Sequence, residues 1–243
     1  MSKPKHVFLA GASRGVGREV ALLLREKDIA VTALLRSSAA QDELESLGVT
    51  VRIGDALNLA DVEQAMLKSQ TIDAVISTIG GVSQDGVRAD YLGNKNLIEA
   101  YLAIPKWMRT AATREAQSGM DYLGKFILIS SIGSGNSAVA LPPQVLQTLA
   151  AALAEKEQAE NYLIASGLTY TVIRPGGLKS EPAAGRGVLT EDYRISGIIH
   201  RADVAQLVYK CLMSDRANNK IFSAVDRDLL YSQSVFEEFI ADF

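Results

Sequence analysis

The stretch AGASRGVGREV, residues 10–20, decides the fold, because three glycines lie within seven positions directly after the apolar run HVFLA. Glycine permits a tight turn and a close approach of backbone to a pyrophosphate, whose charge the free amides of a helix N-terminus stabilise. A strand, this turn and a helix, in that order, predict a dinucleotide-binding unit, with a purely structural turn as the alternative. The predicted contact residues of the turn are Gly11, Ser13, Arg14, Gly15, Val16 and Gly17.

Strand and helix patterns alternate along the rest of the chain. Apolar runs of strand length lie at 6–10, 30–35, 49–54, 73–80, 125–131 and 169–175, with a further candidate at 218–225. Helical patterns lie at 17–27, 40–47, 59–68, 94–102 and 144–166. Near-continuous apolar strands separated by helices predict an α/β fold with a doubly wound parallel sheet, the Rossmann fold.

Size and charge limit the class of protein and partner. The 243 residues favour one domain over 1–243, and a net charge of −3 argues against nucleic acid as the main partner. A single cysteine, Cys211, excludes an intramolecular disulfide and a thiol cluster for a metal, and predicts a buried apolar residue. No apolar run is long enough for a membrane span. We expect a small-molecule ligand, a monomer or homodimer, and a cytoplasmic location, or an organelle stroma if a transit peptide was removed.

Two segments interrupt the alternation of strand and helix. Residues 104–124 lengthen the connection before the fifth strand, and we interpret them as a helix packed on the body, with a subunit contact or lid as the alternative. Residues 176–197 are long and glycine-rich and follow the sixth strand. Because long irregular loops tend to be functional, we name residues 176–197 the substrate-side loop, within a small cap over about 176–200.

The end of the second strand predicts which dinucleotide binds. An acidic side chain there would bind the adenosine ribose hydroxyls, but this chain has Arg36 in ALLRSS. Arg14 places a second guanidinium in the glycine turn. Guanidinium groups bind phosphate by charge-assisted hydrogen bonds, so the pair favours NADP(H) over NAD(H), although either arginine alone is equally consistent with a solvated surface charge.

Motifs spread over nearly the whole chain resemble the short-chain dehydrogenase/reductase superfamily. They are GASRGVG at 11–17, GDALN at 54–58, STIGG at 77–81, ILISSIG at 127–133, KEQAENYLIASGLTYTVIRPGGL at 156–178 and IHRADVAQLV at 199–208. Within the superfamily they look like the atypical branch that includes NmrA-like proteins and biliverdin/flavin reductases. The motifs together are specific for the family and leave the substrate open.

The resemblance implies roles for residues outside the glycine turn. Asp55 would meet the adenine amino group with Ala56 beside it, and Lys156 would bind the nicotinamide ribose. Ser131 would be the active-site serine, although its neighbour Ser130 is an alternative. The resemblance adds further cofactor contacts at Thr78, Ile79, Gly80, Pro175, Gly176 and Gly177.

One departure from the family pattern bears on the chemistry. The standard branch has a tyrosine general acid four residues before the lysine, and this chain has Ala152. Reducing an isolated ketone needs a positioned proton donor, which contributes roughly 10²–10⁴-fold. We therefore favour an NADPH-dependent reductase of a conjugated acceptor, such as a flavin, quinone or linear tetrapyrrole, with Ser131 and Lys156 as its catalytic residues. The alternative is a non-enzymatic NADP(H)-binding redox sensor or assembly factor.

Other side chains are candidates for the missing proton donor or for acceptor binding. Tyr193, Tyr91 and His200 are possible donors, each with packing as the better interpretation, and Tyr162 is expected to point elsewhere on its helix. Lys179 and Arg186 would attract an anionic acceptor, or are solvated loop charges. Asp90 stands where the standard branch often has asparagine, which leaves the family's water relay in doubt.

Overall fold

Strand β1 (His6–Ala10) is buried at every position and lies inside an eight-stranded sheet. The structure is a computed structural model that describes residues 4–82, 86–109, 124–231 and 235–242. The other strands are β2 (Ala30–Leu35), β3 (Thr50–Ile53), β4 (Ala74–Ser77), β5 (Lys125–Ile129), β6 (Thr169–Pro175), β7 (Gly177–Lys179), β8 (Gly187–Thr190), β9 (Ile198–His200) and β10 (Lys220–Asp226). The sheet order is β3-β2-β1-β4-β5-β6-β10-β8.

Helices cover both faces of this sheet. The described α-helices are α1 (Gly15–Glu26), α2 (Gln41–Ser46), α3 (Leu59–Leu67), α4 (Leu92–Ala103), α5 (Pro143–Ala165) and α6 (Arg201–Met213). Side chains alternate along β1, so that Val7 and Leu9 pack in the core formed with α1 and α6, while Phe8 packs in the core formed with α3, α4 and α5. The predicted doubly wound α/β fold is confirmed.

The order of the strands positions the site. All pairs within the large sheet are parallel except β8 with β10. The chain runs from β1 outward through β2 and β3, then returns to place β4 on the other side of β1, with Ala10 paired to Ser77. Ligands of open α/β sheets bind at such a reversal, beyond the carboxyl ends of the strands.

The substrate-side loop contains more regular structure than its sequence predicts. Strand β8 joins the edge of the large sheet antiparallel to β10, and β7 pairs with β9 in a separate two-stranded sheet. The interpretation of 176–197 as irregular was therefore wrong. The glycine-rich composition gave no local strand signal for β7 and β8, whose partners, β9 and β10, lie later in the chain.

The connection before β5 is described only in part. Ile104 and Met108 are buried, as a packed segment requires, and Lys106–Met108 forms a 3₁₀ turn. Trp107 of that turn is 72% exposed. The rest of the predicted helix, 110–123, lies outside the described residues. In the parts of the chain that are described, no helix is both long and apolar enough to cross a bilayer.

Cys211 is fully buried in α6, as predicted for a small apolar residue. Burial disfavours the thiolate and raises the pKa of the Cys211 thiol to about 12. The thiol therefore stays protonated and unreactive at neutral pH.

His6 makes the fold sensitive to acid. Its Nδ1 lies 2.7 Å from the Thr71 carbonyl oxygen and its Nε2 lies 2.9 Å from Thr32 Oγ1, at the amino edge of the sheet. Burial lowers the pKa of His6 below its ordinary value, against smaller opposing effects of Thr71 and Asp73. The folded protein thus favours neutral His6, and its contribution to stability is complete above the unfolded pKa and is lost as pH falls through the folded one.

We expect the free energy of unfolding to fall more between pH 7.5 and pH 5 in the wild type than in His6→Gln, because glutamine has no proton to take up. Urea titrations at both pH values measure the difference. Carboxylates that do not interact with His6 contribute equally to both proteins and cancel in the comparison. Equal losses in the two proteins would contradict this role of His6.

Candidate functional site

The glycine turn packs against the end of β4 with no room for side chains. Gly11 and Gly15 have φ of +93° and +61°, conformations that favour glycine. A Cβ on Gly17 would lie 2.1 Å from the Gly11 carbonyl oxygen and 2.4 Å from Thr78 Oγ1. Both distances are shorter than any real contact, so the start of α1 requires glycine at position 17.

The first turn of α1 fits a bound anion. The residue before the helix, Arg14, is extended, and its side chain does not cap the helix. The first turn also contains no acidic side chain. The amides at the start of a helix lack intrahelical partners, so without a side-chain cap they remain available to phosphate oxygens. Ser13 is exposed beside them, and Val16 is buried beneath.

The two arginines predicted to bind phosphate are exposed and available. Neither Arg14 nor Arg36 forms an ion pair with any residue in the described ranges, and both side chains are exposed. After β3, Asp55 Oδ1 accepts a hydrogen bond from the Leu57 amide at 2.9 Å. Ala56 is held by Asn96 Nδ2, which donates to its carbonyl oxygen at 2.8 Å. The structure therefore places positive charge after β2 and a carboxylate after β3.

The end of β4 lies directly beside the glycine turn. Thr78 Oγ1 lies 3.1 Å from the Ala10 carbonyl oxygen and 3.2 Å from that of Gly11, and the Thr78 amide donates to Ala10 at 3.0 Å. Ile79 packs against Gly93 of α4, where a Cβ would lie 2.8 Å from Ile79 Cδ1. These contacts join the glycine turn to 78–80 as one surface.

Lys156 forms an ion pair with Asp90, which the sequence did not predict. The Lys156 Nζ lies 2.9 Å from Asp90 Oδ1, and the Asp90 side chain is 1% exposed. Asp90 Oδ2 accepts from the Gly81 amide at 2.8 Å and lies 3.3 Å from Arg88 Nη2. A Cβ on Gly80 would lie 2.5 Å from Asp90 Oδ1, so glycine lets the backbone pass directly over the pair. Asp90 therefore fixes the position of the lysine ammonium.

The two candidate serines after β5 differ in their surroundings. Ser130 Oγ donates to Glu160, which is paired with Arg174 in the interior, Nη2 to Oε2 at 2.6 Å. Ser131 is partly exposed, and its hydroxyl donates to the Ile132 carbonyl oxygen at 2.9 Å. Ser130 thus belongs to a buried polar network, and Ser131 is the serine with access to a ligand.

The backbone after β6 is held close to its neighbours. The Gly176 amide donates to Ala224 and the Gly177 amide to Gly197, both at 2.9 Å, and the Pro175 carbonyl oxygen accepts from Ile132 at 3.0 Å. A Cβ on Gly176 would lie 2.2 Å from the Gly197 carbonyl oxygen. This close approach explains why the sequence has glycine after Pro175.

Several candidate proton donors have other partners. Tyr162 donates to Glu99 Oε1 at 2.7 Å, as expected for a residue pointing away from Lys156. Tyr91 packs edge-on against Tyr162 with ring centroids 6.4 Å apart. His200 lies beside Asp203, with Nδ1 3.3 Å from Oδ2, whereas Tyr193 is 42% exposed.

The loop charges also differ from one another. Arg186 pairs with Asp226 at 3.1 Å and Asp228 at 3.0 Å, which favours a structural role over attraction of an acceptor. Lys179 forms no ion pair within the described residues.

Ala152 lies one helical turn before Lys156 in α5, and its methyl group has no acidic proton to donate.

Arg201 is a second residue near the site that the sequence did not predict. It is the first residue of α6, and its Nε lies 3.7 Å from the position that a Cβ on Gly15 would have. Nothing in the local sequence signals this contact, because residues 15 and 201 are joined only by the packing of α1 on α6.

Two relatives match most of the chain in sequence. It is 28% identical over 226 residues to the uncharacterized sugar epimerase YhfK of Bacillus subtilis (strain 168), covering 91% of this chain and 94% of that one. It is 29% identical over 253 residues to the sanguinarine reductase of Eschscholzia californica, covering 91% and 89% of the two chains.

A solved structure confirms the likeness of the fold. ChuY, an anaerobillin reductase from Escherichia coli O157:H7, superposes with a TM-score of 0.76 at 28% identity, covering 92% of this chain and 98% of that one. The family model described as NAD(P)H-binding matches residues 11–215, from the first glycine of the turn to beyond α6. The chain therefore belongs to the NAD(P)H-binding family.

Proposed function

We propose that this protein is an NADPH-dependent reductase of a conjugated small-molecule acceptor. The observation that carries the proposal is a series of close contacts at the carboxyl edge of the sheet, from the uncapped N-terminus of α1 through Thr78 and Gly80 to the Lys156–Asp90 ion pair. A dinucleotide laid along this edge would have its pyrophosphate at Gly15 and its nicotinamide ribose at Lys156. Bound NADPH supplies the hydride, and the protein supplies position and charge.

The choice of NADP(H) over NAD(H) rests on the arginine pair. A 2′-phosphate adds charge at the adenosine ribose, beyond the end of β2, where Arg36 stands in place of an acid. Arg36 and Arg14 have no competing carboxylate within the described residues. Phosphate would therefore gain charge-assisted hydrogen bonds there without first breaking an ion pair.

A conjugated acceptor follows from the missing phenol. Position 152 offers only a methyl group, and the nearby Lys156 is committed to Asp90. An acceptor that spreads the incoming negative charge over a conjugated system does not need a strong, positioned acid, so aligning it with the nicotinamide supplies most of the rate. Flavins, quinones and linear tetrapyrroles have this property. The similarity to the anaerobillin and sanguinarine reductases supports the reductase class.

Turnover is measured directly from the absorbance of NADPH. We expect the NADPH absorbance to fall on addition of at least one of FMN, a quinone or biliverdin. An equal concentration of NADH should be oxidised more slowly. Tight NADPH binding without turnover across the panel would instead favour the redox-sensor alternative.

Replacing Arg36 tests the cofactor assignment. We expect Arg36→Glu to weaken NADP⁺ binding by about 10- to 100-fold, the loss of a charge-assisted hydrogen bond, and to leave NAD⁺ binding nearly unchanged. Calorimetric titrations measure both constants. Lys68→Glu controls for the change of net charge, because Lys68 is exposed after α3 and forms no ion pair with any residue that the structure describes. Equal effects of Arg36→Glu on the two nucleotides would remove the assignment.

Replacing Lys156 tests the other end of the proposed site. We expect Lys156→Met to lower kcat/KM for NADPH by about 10- to 100-fold, because the methionine cannot bond the ribose hydroxyls. Lys210→Met, at an exposed position of α6, is the matched control, and melting curves of both variants check the fold. An unchanged kcat/KM in folded Lys156→Met would show that the nicotinamide ribose lies elsewhere.

A further inference from the structure

Arg201 forms hydrogen bonds with the substrate-side loop and lies beside the glycine turn. Its Nη1 donates to Ser180 Oγ at 2.7 Å and to the Leu178 carbonyl oxygen at 3.3 Å. Its Nε and Cδ lie 3.7 and 3.9 Å from the position of a Cβ on Gly15. One side chain thus lies between the predicted pyrophosphate position and the beginning of the loop.

The guanidinium uses only part of its hydrogen-bonding capacity on the loop. Both bonds come from Nη1, whereas Nε and Nη2 have no partner among the residues described. Nε–H and the adjacent Nη2–H form an edge that binds two phosphate oxygens at once. No carboxylate in the described ranges forms an ion pair with Arg201. The edge nearest Gly15 is therefore available to an anion.

The loop segment that Arg201 holds has few other contacts. Pairing of β7 with β9 ends at Lys179, and residues 180–183 are exposed. Further along, Asp203 accepts from the Ala184 and Gly185 amides at 2.8 Å each. Between these two points the described polar contacts are that of Ser180 with Arg201 and a 4.0 Å approach of Glu181 to His200. The order of 180–183 therefore depends strongly on where Arg201 lies.

We propose that Arg201 couples cofactor binding to the order of the substrate-side loop, a role that rests on the proposed NADP(H) site. The Nε and Nη2 edge binds the pyrophosphate, which fixes the guanidinium and so stabilises its bonds to Leu178 and Ser180. Cofactor binding therefore restrains the beginning of the substrate-side loop through this one side chain.

Two measurements on the full chain test this coupling. In calorimetric titrations with NADP⁺, Arg201→Met and Arg201→Lys should bind about 10- to 100-fold more weakly than wild type, since lysine keeps the charge and lacks the two-pronged edge. Arg194→Gln, an exposed arginine within the same loop, should bind like wild type. Hydrogen exchange of the 178–186 peptide should slow on addition of NADP⁺ in wild type and much less in the Arg201 variants.

Ser180→Ala separates the two contacts of Arg201. It removes one acceptor in the loop and leaves the guanidinium edge intact, so we expect NADP⁺ affinity within about twofold of wild type and a smaller protection of 178–186. Absence of NADP⁺ binding by the wild type would overturn the proposed function itself. If the wild type binds NADP⁺, and Arg201→Lys and Arg201→Met show the same affinity and the same protection of the loop as the wild type, only the coupling is overturned.

Discussion

The site depends on the close packing of the start of α1 against the ends of β1 and β4. A methyl group at Gly17 would overlap the Gly11 carbonyl oxygen and the Thr78 hydroxyl, so α1 approaches the end of β1 and the Thr78 side chain more closely than any residue but glycine allows. This contact aims the free amides of α1 at the carboxyl edge of the sheet. The parallel pairing of Ala10 with Ser77 keeps the two halves of the proposed site together.

Much of the fold was predictable because buried strands leave a local signal. The runs at 6–10, 30–35 and 169–175 match the observed strands residue for residue, since each is rich in apolar or β-branched residues and is followed by glycine or arginine. Strand β8 was missed for a physical reason. A four-residue edge strand, Gly187–Thr190, gains its stability from pairing with β10, and that pairing is not encoded in its own composition.

The site residues also divide into those that leave a local sequence signal and those that do not. The spacing of Gly11, Gly15 and Gly17 identified the turn, because the geometry of that turn restricts residue type. The partners of Lys156 and Gly15 were not predictable in this way. Asp90 lies just before α4 and Arg201 begins α6. An ion pair or a neighbouring guanidinium across the fold imposes no spacing on the chain. Asp90 stands where the standard branch often has asparagine, and the reason becomes visible only when its carboxylate is seen beside Lys156.

A crystal structure of the protein with NADP⁺ tests the proposed site most directly. We expect the pyrophosphate at the amides of Gly15 and Val16, the 2′-phosphate between Arg14 and Arg36, and the nicotinamide ribose within hydrogen-bond distance of Lys156 Nζ. Density for the nucleotide elsewhere, or no density at this edge of the sheet at saturating NADP⁺, would contradict the proposal.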